Sequence, residues 1–262
     1  IGSLVHAFAD RMVRLSEAGR RWRVVALEPR FDGVVHVELD LRDGAFAFEA
    51  GQYCFLRVGR ISDLEWHPFT LSGAPSDRRI QFDIKAMGSE GTFAARLRRL
   101  AEDRVALESL DVAVEGPYGC APSYAQYDAV LLVAGGIGAT PCHSIFRELY
   151  IRHDGPAVTL LWVARHRRCF ELFGATLRAA AGDDAFRLAL YVDGEKPRDA
   201  WGEADTYQGI PFTHGRPDVS RAVADLAGRS FVFVCGPPGL SAACAAAALE
   251  HDVAFHSEVF AF

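Results

Sequence analysis

The stretch "VAGGIGATPCHSIF", Val133 to Phe146, sets three glycines and a proline between an apolar run and a helical pattern. The run that leads into it, "AVLLVAG", is continuously apolar, as a parallel strand buried on both faces must be. Pro141 is favoured at the first position of a helix, so a helix starting there leaves the glycines in a strand-to-helix turn. In such a turn Gly136 and Gly138 let the backbone approach a ligand, and the unpaired N–H groups and dipole of the helix start favour an anion. A dinucleotide pyrophosphate fits. The loop departs from G-x-G-x-x-G, because Pro141 occupies the place of the third glycine, and a turn that only packs helix tightly on strand is the competing reading.

Downstream, the apolar period repeats as strand and helix in alternation. Strands are expected at "VTLLWVA", "FRLALYV", "SFVFVCG" and near "VAFHSEVFAF", with helices around "FELFGATLRAA", "DVSRAVADL" and "AACAAAALE". That order predicts a doubly wound α/β parallel sheet over 125–262. The span from Gly194 to Pro217, rich in glycine, proline and charge, reads as a long loop. Upstream, the runs "WRVVAL", "VVHVELDL", "QYCFLRV", "FTLSGA", "RIQFDIKA" and "VAVEG" are short and β-rich, with one helical insertion from Thr92 to Ala101. They predict a small antiparallel β-barrel over 21–124.

Composition limits what these two domains can be. Of 262 residues, 50% are hydrophobic and 24% charged, an ordinary globular balance with enough chain for two cores. A net charge of -6 argues against a general nucleic-acid binder, so any anion site is local. The six cysteines, Cys54, Cys120, Cys142, Cys169, Cys235 and Cys244, form no C-x-x-C and no zinc or iron-sulfur spacing, so reduced thiols in a cytosolic setting and no metal centre are expected. No apolar run reaches the roughly 18 residues of a membrane span, and no signal peptide is visible. A chain beginning at Ile1 is expected to be part of a longer one. Within 1–20, Leu4, Phe8, Met12 and Leu15 share a helical stripe amid Arg11, Arg14 and Arg20. A membrane-proximal helical segment and a helix packed on its own domain account for it equally well.

The second strand of the parallel sheet speaks to the nucleotide. NAD-selective sheets place an acidic residue at the end of that strand for the ribose 2′-hydroxyl, whereas "LLWVARHRR" ends in Arg165, His166, Arg167 and Arg168. A 2′-phosphate, and hence NADPH, is favoured over a solvated basic turn at Arg165, with the two readings level at Arg167 and Arg168. "CGPP", Cys235 to Pro238, ends a later strand at the same sheet edge; Cys235 either faces the nicotinamide or is a buried core thiol. In the barrel, "HPFTLSGAP" alternates an aromatic ring and a hydroxyl with His67, a set suited to a planar ring and a phosphate. "IKAMGSEGTF" sets Lys85 ahead of a Gly-Thr that opens a helix, again an anion site.

Together "EAGQYCFLRV", "LEWHPFTLSGAP", "VEGPYG", "GGIGATP", "HGRPD", "CGPP" and the terminal phenylalanine resemble the cytosolic dehydrogenase domain of the NADPH oxidase family, within the ferredoxin-NADP reductase and ferric reductase group. The match runs from about Arg21 to Phe262, in the family's order. It departs at Gly73, where serine is common, and in a short C-terminal helix-strand link.

By that resemblance His67, Pro68, Phe69 and Thr70 form the flavin motif, with Thr70 near the ring and His67 near the FAD phosphates. Lys85, Gly91 and Thr92 resemble a second pyrophosphate contact; Gly136, Gly138 and Thr140 the NADPH pyrophosphate loop; and Arg165 with Arg216 a 2′-phosphate clamp. Cys235, Gly236 and Pro237 fall at the nicotinamide, and Phe262 over the flavin ring. The implied reaction is hydride transfer from NADPH to FAD, then release of single electrons. The family passes them to haem in a transmembrane domain and on to molecular oxygen or ferric iron, which implies a place at the cytosolic face of a membrane. A soluble or membrane-linked flavoprotein ferric reductase and a catalytically silent regulatory module are the alternatives.

Overall fold

A computed structural model describes residues 22–41, 46–119, 122–195 and 205–258, and divides the chain into two compact units, 1–121 and 122–262. The helical stripe expected in 1–20 and Phe262 lie outside the described residues.

The first unit is antiparallel. Strands β1 (Trp22–Pro29), β2 (Val34–Leu41) and β5 (Ile80–Lys85) form one sheet in the order β1-β2-β5. Strands β3 (Tyr53–Val58), β4 (His67–Thr70) and β6 (Val112–Tyr118) form a second, in the order β4-β3-β6. Period-two alternation sends Val35, Val37 and Leu39 of β2, Cys54, Leu56 and Val58 of β3, and Ile80, Phe82 and Ile84 of β5 into one shared core. Helix α1 (Phe93–Glu102) closes that core with Phe93, Leu97 and Ala101. The cap matches the expected start of this helix: the Thr92 hydroxyl accepts from the Ala95 N–H at 3.3 Å and donates to the Met87 carbonyl at 3.2 Å.

The second unit is a seven-stranded sheet in the order β10-β11-β9-β8-β7-β12-β13, parallel except for the edge strand β10. Its strands are β7 (Ala129–Gly135), β8 (Ala157–Ala164), β9 (Phe186–Val192), β10 (Thr206–Tyr207), β11 (Ile210–His214), β12 (Ser230–Cys235) and β13 (Ala254–Glu258). Helices α2 (Ala139–Arg152), α3 (Gly174–Ala180), α4 (Val219–Ala224) and α5 (Pro238–Glu250) form the crossovers. β7 is fully buried from Val130 to Ala134, the burial its continuous apolar run requires. Succession runs from β7 outward through β8 and β9, then returns to β12 on the other side of β7, so the switch in strand order lies between β7 and β12.

Two expectations change. Residues 194–217 are not a loop throughout, because β10 and β11 form a hairpin there and β11 adds to the sheet beside β9, pairing Phe212 with Leu190 and His214 with Val192. Ile210 and Phe212 are its only buried pair of alternating positions, too short a pattern to stand out among charges and glycines. Pro141 is third in α2 rather than first, because a 3-10 turn over Gly136–Gly138 runs directly into the helix at Ala139. It still falls in the first turn, where a missing N–H breaks no helical bond.

Candidate active site

The glycine loop sits at the carboxyl end of β7, against the end of β12. A Cβ built on Gly138 would lie 2.1 Å from the Cys235 carbonyl oxygen, and one on Gly135 2.5 Å from Pro237 Cδ, so both positions need glycine for the two strand ends to meet. Gly136 differs: it has φ +57° and nothing within 4 Å of a Cβ, an open cradle beside backbone. The Trp162 indole N–H donates to the Gly136 carbonyl at 3.0 Å, and the Thr140 hydroxyl to the Ile137 carbonyl at 3.1 Å, which fixes the turn. Gly138 precedes α2 and supplies no side-chain cap, while the Ala139 N–H turns back to the Gly136 and Ile137 carbonyls of the 3-10 turn. Open backbone at Gly136, a helix start without a side-chain cap and a strand-order switch fit a dinucleotide pyrophosphate.

The basic turn after β8 divides into unequal parts. Arg165 is exposed and makes no ion pair among the described residues, while Gly194 packs so closely on it that a Cβ there would lie 2.4 Å from its carbonyl oxygen. Arg167 is 15% exposed and committed elsewhere: its backbone N–H and Nε bond Glu195 at 2.6 and 2.7 Å, and its Nη1 lies 3.5 Å from Asp205. Burial pushes the Glu195 carboxyl up, but the Arg167 N–H and guanidinium outweigh it and hold that carboxyl below its ordinary value. Arg168 pairs with Glu171 at 3.1 Å. Arg216, 84% exposed, follows β11 and reaches Asp193 at 3.4 Å. Strand ends β8, β9 and β11 are adjacent in the sheet, so Arg165 and Arg216 stand at one edge. Glu195 and Asp205, which help fasten this edge, carried no motif, and His214 entered only as the first residue of "HGRPD"; sequence reasoning gave none of the three a role.

Beside the loop, Cys235 is fully buried, in register between Ala134 and Glu258. Burial, then the Glu258 carboxyl, pushes its thiol well above the usual range. Burial also pushes Glu258 up to about 7. Gly236 is half-buried and Pro237 exposed at the start of α5.

In the first unit the pleat splits the motif at β4. His67 and Phe69 pair with the core-facing Leu56 and Cys54, and stack on Phe93 with ring centroids 4.5 and 6.0 Å away. They therefore stand next to Thr92 and the N-terminus of α1. His67 Nε2 also lies 3.4 Å from Glu65. Gly91 has only the Ser89 hydroxyl, at 3.9 Å, near a Cβ position, so the approach to this helix start is open. These features fit the diphosphate of a dinucleotide flavin. Lys85 is not grouped with them by any contact: its ammonium pairs with Asp32 at 2.5 Å.

Pro68 and Thr70 point to the opposite face, where their ladder partners are Phe55 and Tyr53. Tyr53, Phe55 and Tyr118 form an aromatic group there, with centroids 5.6 to 6.0 Å apart. Thr70 itself is buried. The alternation in "YCFLRV" was the signal that could have found this group, once its pairing with "HPFT" was known.

Comparison with known proteins places both units. An FAD-binding domain family matches residues 18–122, and a ferric reductase NAD binding domain family matches residues 127–249. A superoxide-generating NADPH oxidase heavy chain of Dictyostelium discoideum is 27% identical over 92% of this chain and 53% of its own length. NADPH oxidase 1 of Mus musculus is 33% identical over 78% of this chain and 39% of its own length. The chain thus spans about half or less of these relatives. Among solved structures, the flavohem-like FAD/NAD binding domain of nitric oxide dioxygenase from Vibrio cholerae superposes with TM-score 0.70 at 21% identity, over 92% of this chain and 98% of that one. A ferredoxin NADP+ reductase from Neisseria gonorrhoeae superposes with TM-score 0.66 at 13% identity, over 91% and 97%.

Proposed function

We propose, for a chain that joins an FAD-binding domain to a ferric reductase NAD-binding domain and is distantly homologous to the dehydrogenase regions of NADPH oxidases, that it is the electron-input region of such an oxidase. Electron transfer from NAD(P)H to FAD is the activity of these two domains together. The finer reading is that NADPH is the donor and that single electrons pass to haem in a transmembrane domain of the same or a partner chain, at the cytosolic face of the membrane. Molecular oxygen is then the last acceptor, and superoxide or hydrogen peroxide the product.

The observation that carries NADPH is the exposed Arg165 at the end of β8, where an acidic residue would serve NADH, with Arg216 at the end of β11, beyond β9 on the same sheet edge. In this reading Gly136, Gly138 and the start of α2 hold the nucleotide diphosphate, and Thr140 keeps their turn closed. Arg165 and Arg216 hold the 2′-phosphate, while Cys235, Gly236 and Pro237 border the nicotinamide. His67, Phe69, Gly91 and Thr92 hold the FAD diphosphate; Lys85 joins them on leaving Asp32. Pro68 and Thr70 lie toward the flavin ring, and Phe262 keeps its ring-covering role from the resemblance alone. When bound, FAD supplies the conversion of a two-electron donor into one-electron steps, and the protein supplies position and electrostatics.

The test uses membranes from cells expressing the gene that encodes this chain. NADPH-dependent cytochrome c reduction that superoxide dismutase abolishes supports the oxidase. Reduction of a ferric chelate that the dismutase leaves untouched transfers the assignment to a ferric reductase. No NADPH turnover, with no bound flavin, leaves a silent module.

A further inference from the structure

We infer that Asp193, at the end of β9, is a specificity-determining residue that admits NADH beside NADPH to one site, by accepting from the ribose 2′-hydroxyl. The inference rests on the reading of Arg165 and Arg216 as the 2′-phosphate clamp. Strands β8 and β11 flank β9, and their last paired positions set Ala164 and His214 on either side of Val192. One residue further on, the Asp193 N–H donates to the Ala164 carbonyl at 3.0 Å, and the Gly215 N–H to the Val192 carbonyl at 2.8 Å. Asp193 is thereby fixed between Arg165, which follows Ala164, and Arg216, which follows Gly215. A Cβ on Gly194 would lie 2.4 Å from Arg165 Cγ, so the stem of that arginine runs against the residue next to Asp193.

The Asp193 carboxylate is open to a ligand. Its side chain is 27% exposed, and its one charged partner among the described residues is Arg216, whose Nε lies 3.4 Å away on a mostly exposed side chain. A pair so loose and so wet contributes little, and a ligand exchanges with it readily. Glu195, two residues on, is committed: Arg167 bonds it at 2.7 Å, and His166 lies 3.0 Å from it.

One carboxylate between two guanidinium groups acts in opposite senses on the two nucleotides. It accepts from a ribose 2′-hydroxyl, the contact that an acidic residue at a neighbouring strand end makes in NAD-selective sheets. It opposes a 2′-phosphate, because a phosphate held by Arg216 shares that guanidinium with it. Arg165 and Arg216 therefore set a preference for NADPH, and Asp193 narrows it from both sides.

Calorimetric binding of AMP, 2′-deoxy-AMP and 2′,5′-ADP, which differ only at the 2′ position, isolates these contacts from electron transfer. Wild type should bind AMP about tenfold more tightly than 2′-deoxy-AMP, the lower end for a hydrogen bond to a charged group, and this readout needs no variant. In Asp193→Asn that difference should shrink to about threefold, because a neutral acceptor bonds about half as strongly. The same variant should bind 2′,5′-ADP roughly three- to tenfold more tightly than wild type, as a charge beside the phosphate is removed. With FAD bound, wild type should be reduced by NADH as well as by NADPH. Equal wild-type binding of AMP and 2′-deoxy-AMP, an unchanged affinity for 2′,5′-ADP in Asp193→Asn, or reduction by NADPH alone overturns the role of Asp193, and the clamp stands as long as Arg216→Ala weakens 2′,5′-ADP. Binding of 2′,5′-ADP that neither Arg165→Ala nor Arg216→Ala weakens overturns the clamp, and this inference with it.

Discussion

Gly138 is set against Cys235 so closely that a single added carbon would lie 2.1 Å from the Cys235 carbonyl oxygen and 2.6 Å from its carbonyl carbon. Backbone meets backbone there, so nothing flexible can yield. Gly138→Ala must therefore push β7 and β12 apart at the strand-order switch, costing about 1 to 3 kcal/mol or more. Gly136→Ala meets no atom and pays only for its φ of +57°, about 1 to 2 kcal/mol, yet it fills the open cradle. Thermal melting with nucleotide titration separates the two. Gly138→Ala should lose stability and binding together, whereas Gly136→Ala should stay folded and bind NADP weakly. Equal stability of the two variants would refute the close contact.

The arginines after β8 should behave oppositely despite being two residues apart. Arg165→Ala and Arg216→Ala should each lower kcat/KM for NADPH on the order of ten- to a hundredfold, with little change for NADH, because hydrogen bonds to a charged group contribute about 1.5 to 3 kcal/mol. Arg167→Ala should instead destabilise the fold, since it strands Glu195 and Asp205 as partly buried carboxylates without their cation. Equal losses with both nucleotides in the Arg165 and Arg216 variants would move those residues away from the 2′-phosphate.

Flavin selection should follow the start of α1. On the proposed reading of the α1 start, with His67, Gly91 and Thr92 beside it, as the seat of the FAD diphosphate, the chain should bind FAD in preference to FMN. Thr92→Ala should cost about 1 kcal/mol of stability through the lost cap and should weaken FAD more than FMN. Fluorescence titration of both flavins is the check. FMN binding as tight as FAD would remove the phosphate from that helix start.

Glu258 gives the second unit a pH dependence of known sign. Burial raises its carboxyl from an ordinary 4.5 to about 7, so the folded chain keeps a proton that the unfolded chain has lost. The associated stability is complete below about pH 4.5 and disappears as pH rises through about 7. Glu258→Gln should therefore melt higher than wild type at pH 8 and lose that advantage at pH 5, a comparison made by calorimetry at the two values. A difference between the proteins that does not change with pH would place Glu258 in water.

Cys235 lies in register with Glu258 at this strand end, and its buried, protonated thiol argues for a role through shape rather than nucleophilicity. Cys235→Ser preserves size and changes polarisability. It should slow flavin reduction by NADPH in stopped-flow measurements while leaving FAD affinity unchanged. The reverse outcome would make it a core residue alone.

Local pattern determined much of this protein before any contact was known. The continuous apolar run 129–135 followed by glycines could only be a buried strand entering a tight turn, and the Thr92 cap was legible because capping is a contact within four residues. Alternation likewise marked the antiparallel strands of the first unit, since one face of each had to meet a core. Tertiary structure decided what depended on distant partners. The strand terminus set Arg165 apart in the sequence but left Arg167 open between phosphate ligand and solvated turn; only the structure shows Arg167 meeting Glu195, 28 residues away, because β8 and β9 end side by side. β11 was unreadable for a similar reason: two alternating buried residues carry too little burial to specify a strand, and the open edge of β9 supplies the rest. His214 found partners for both ring nitrogens only when the hairpin brought Asp205 and the Glu195 carbonyl to them, a requirement set by geometry across the sheet edge that no spacing along the chain encodes.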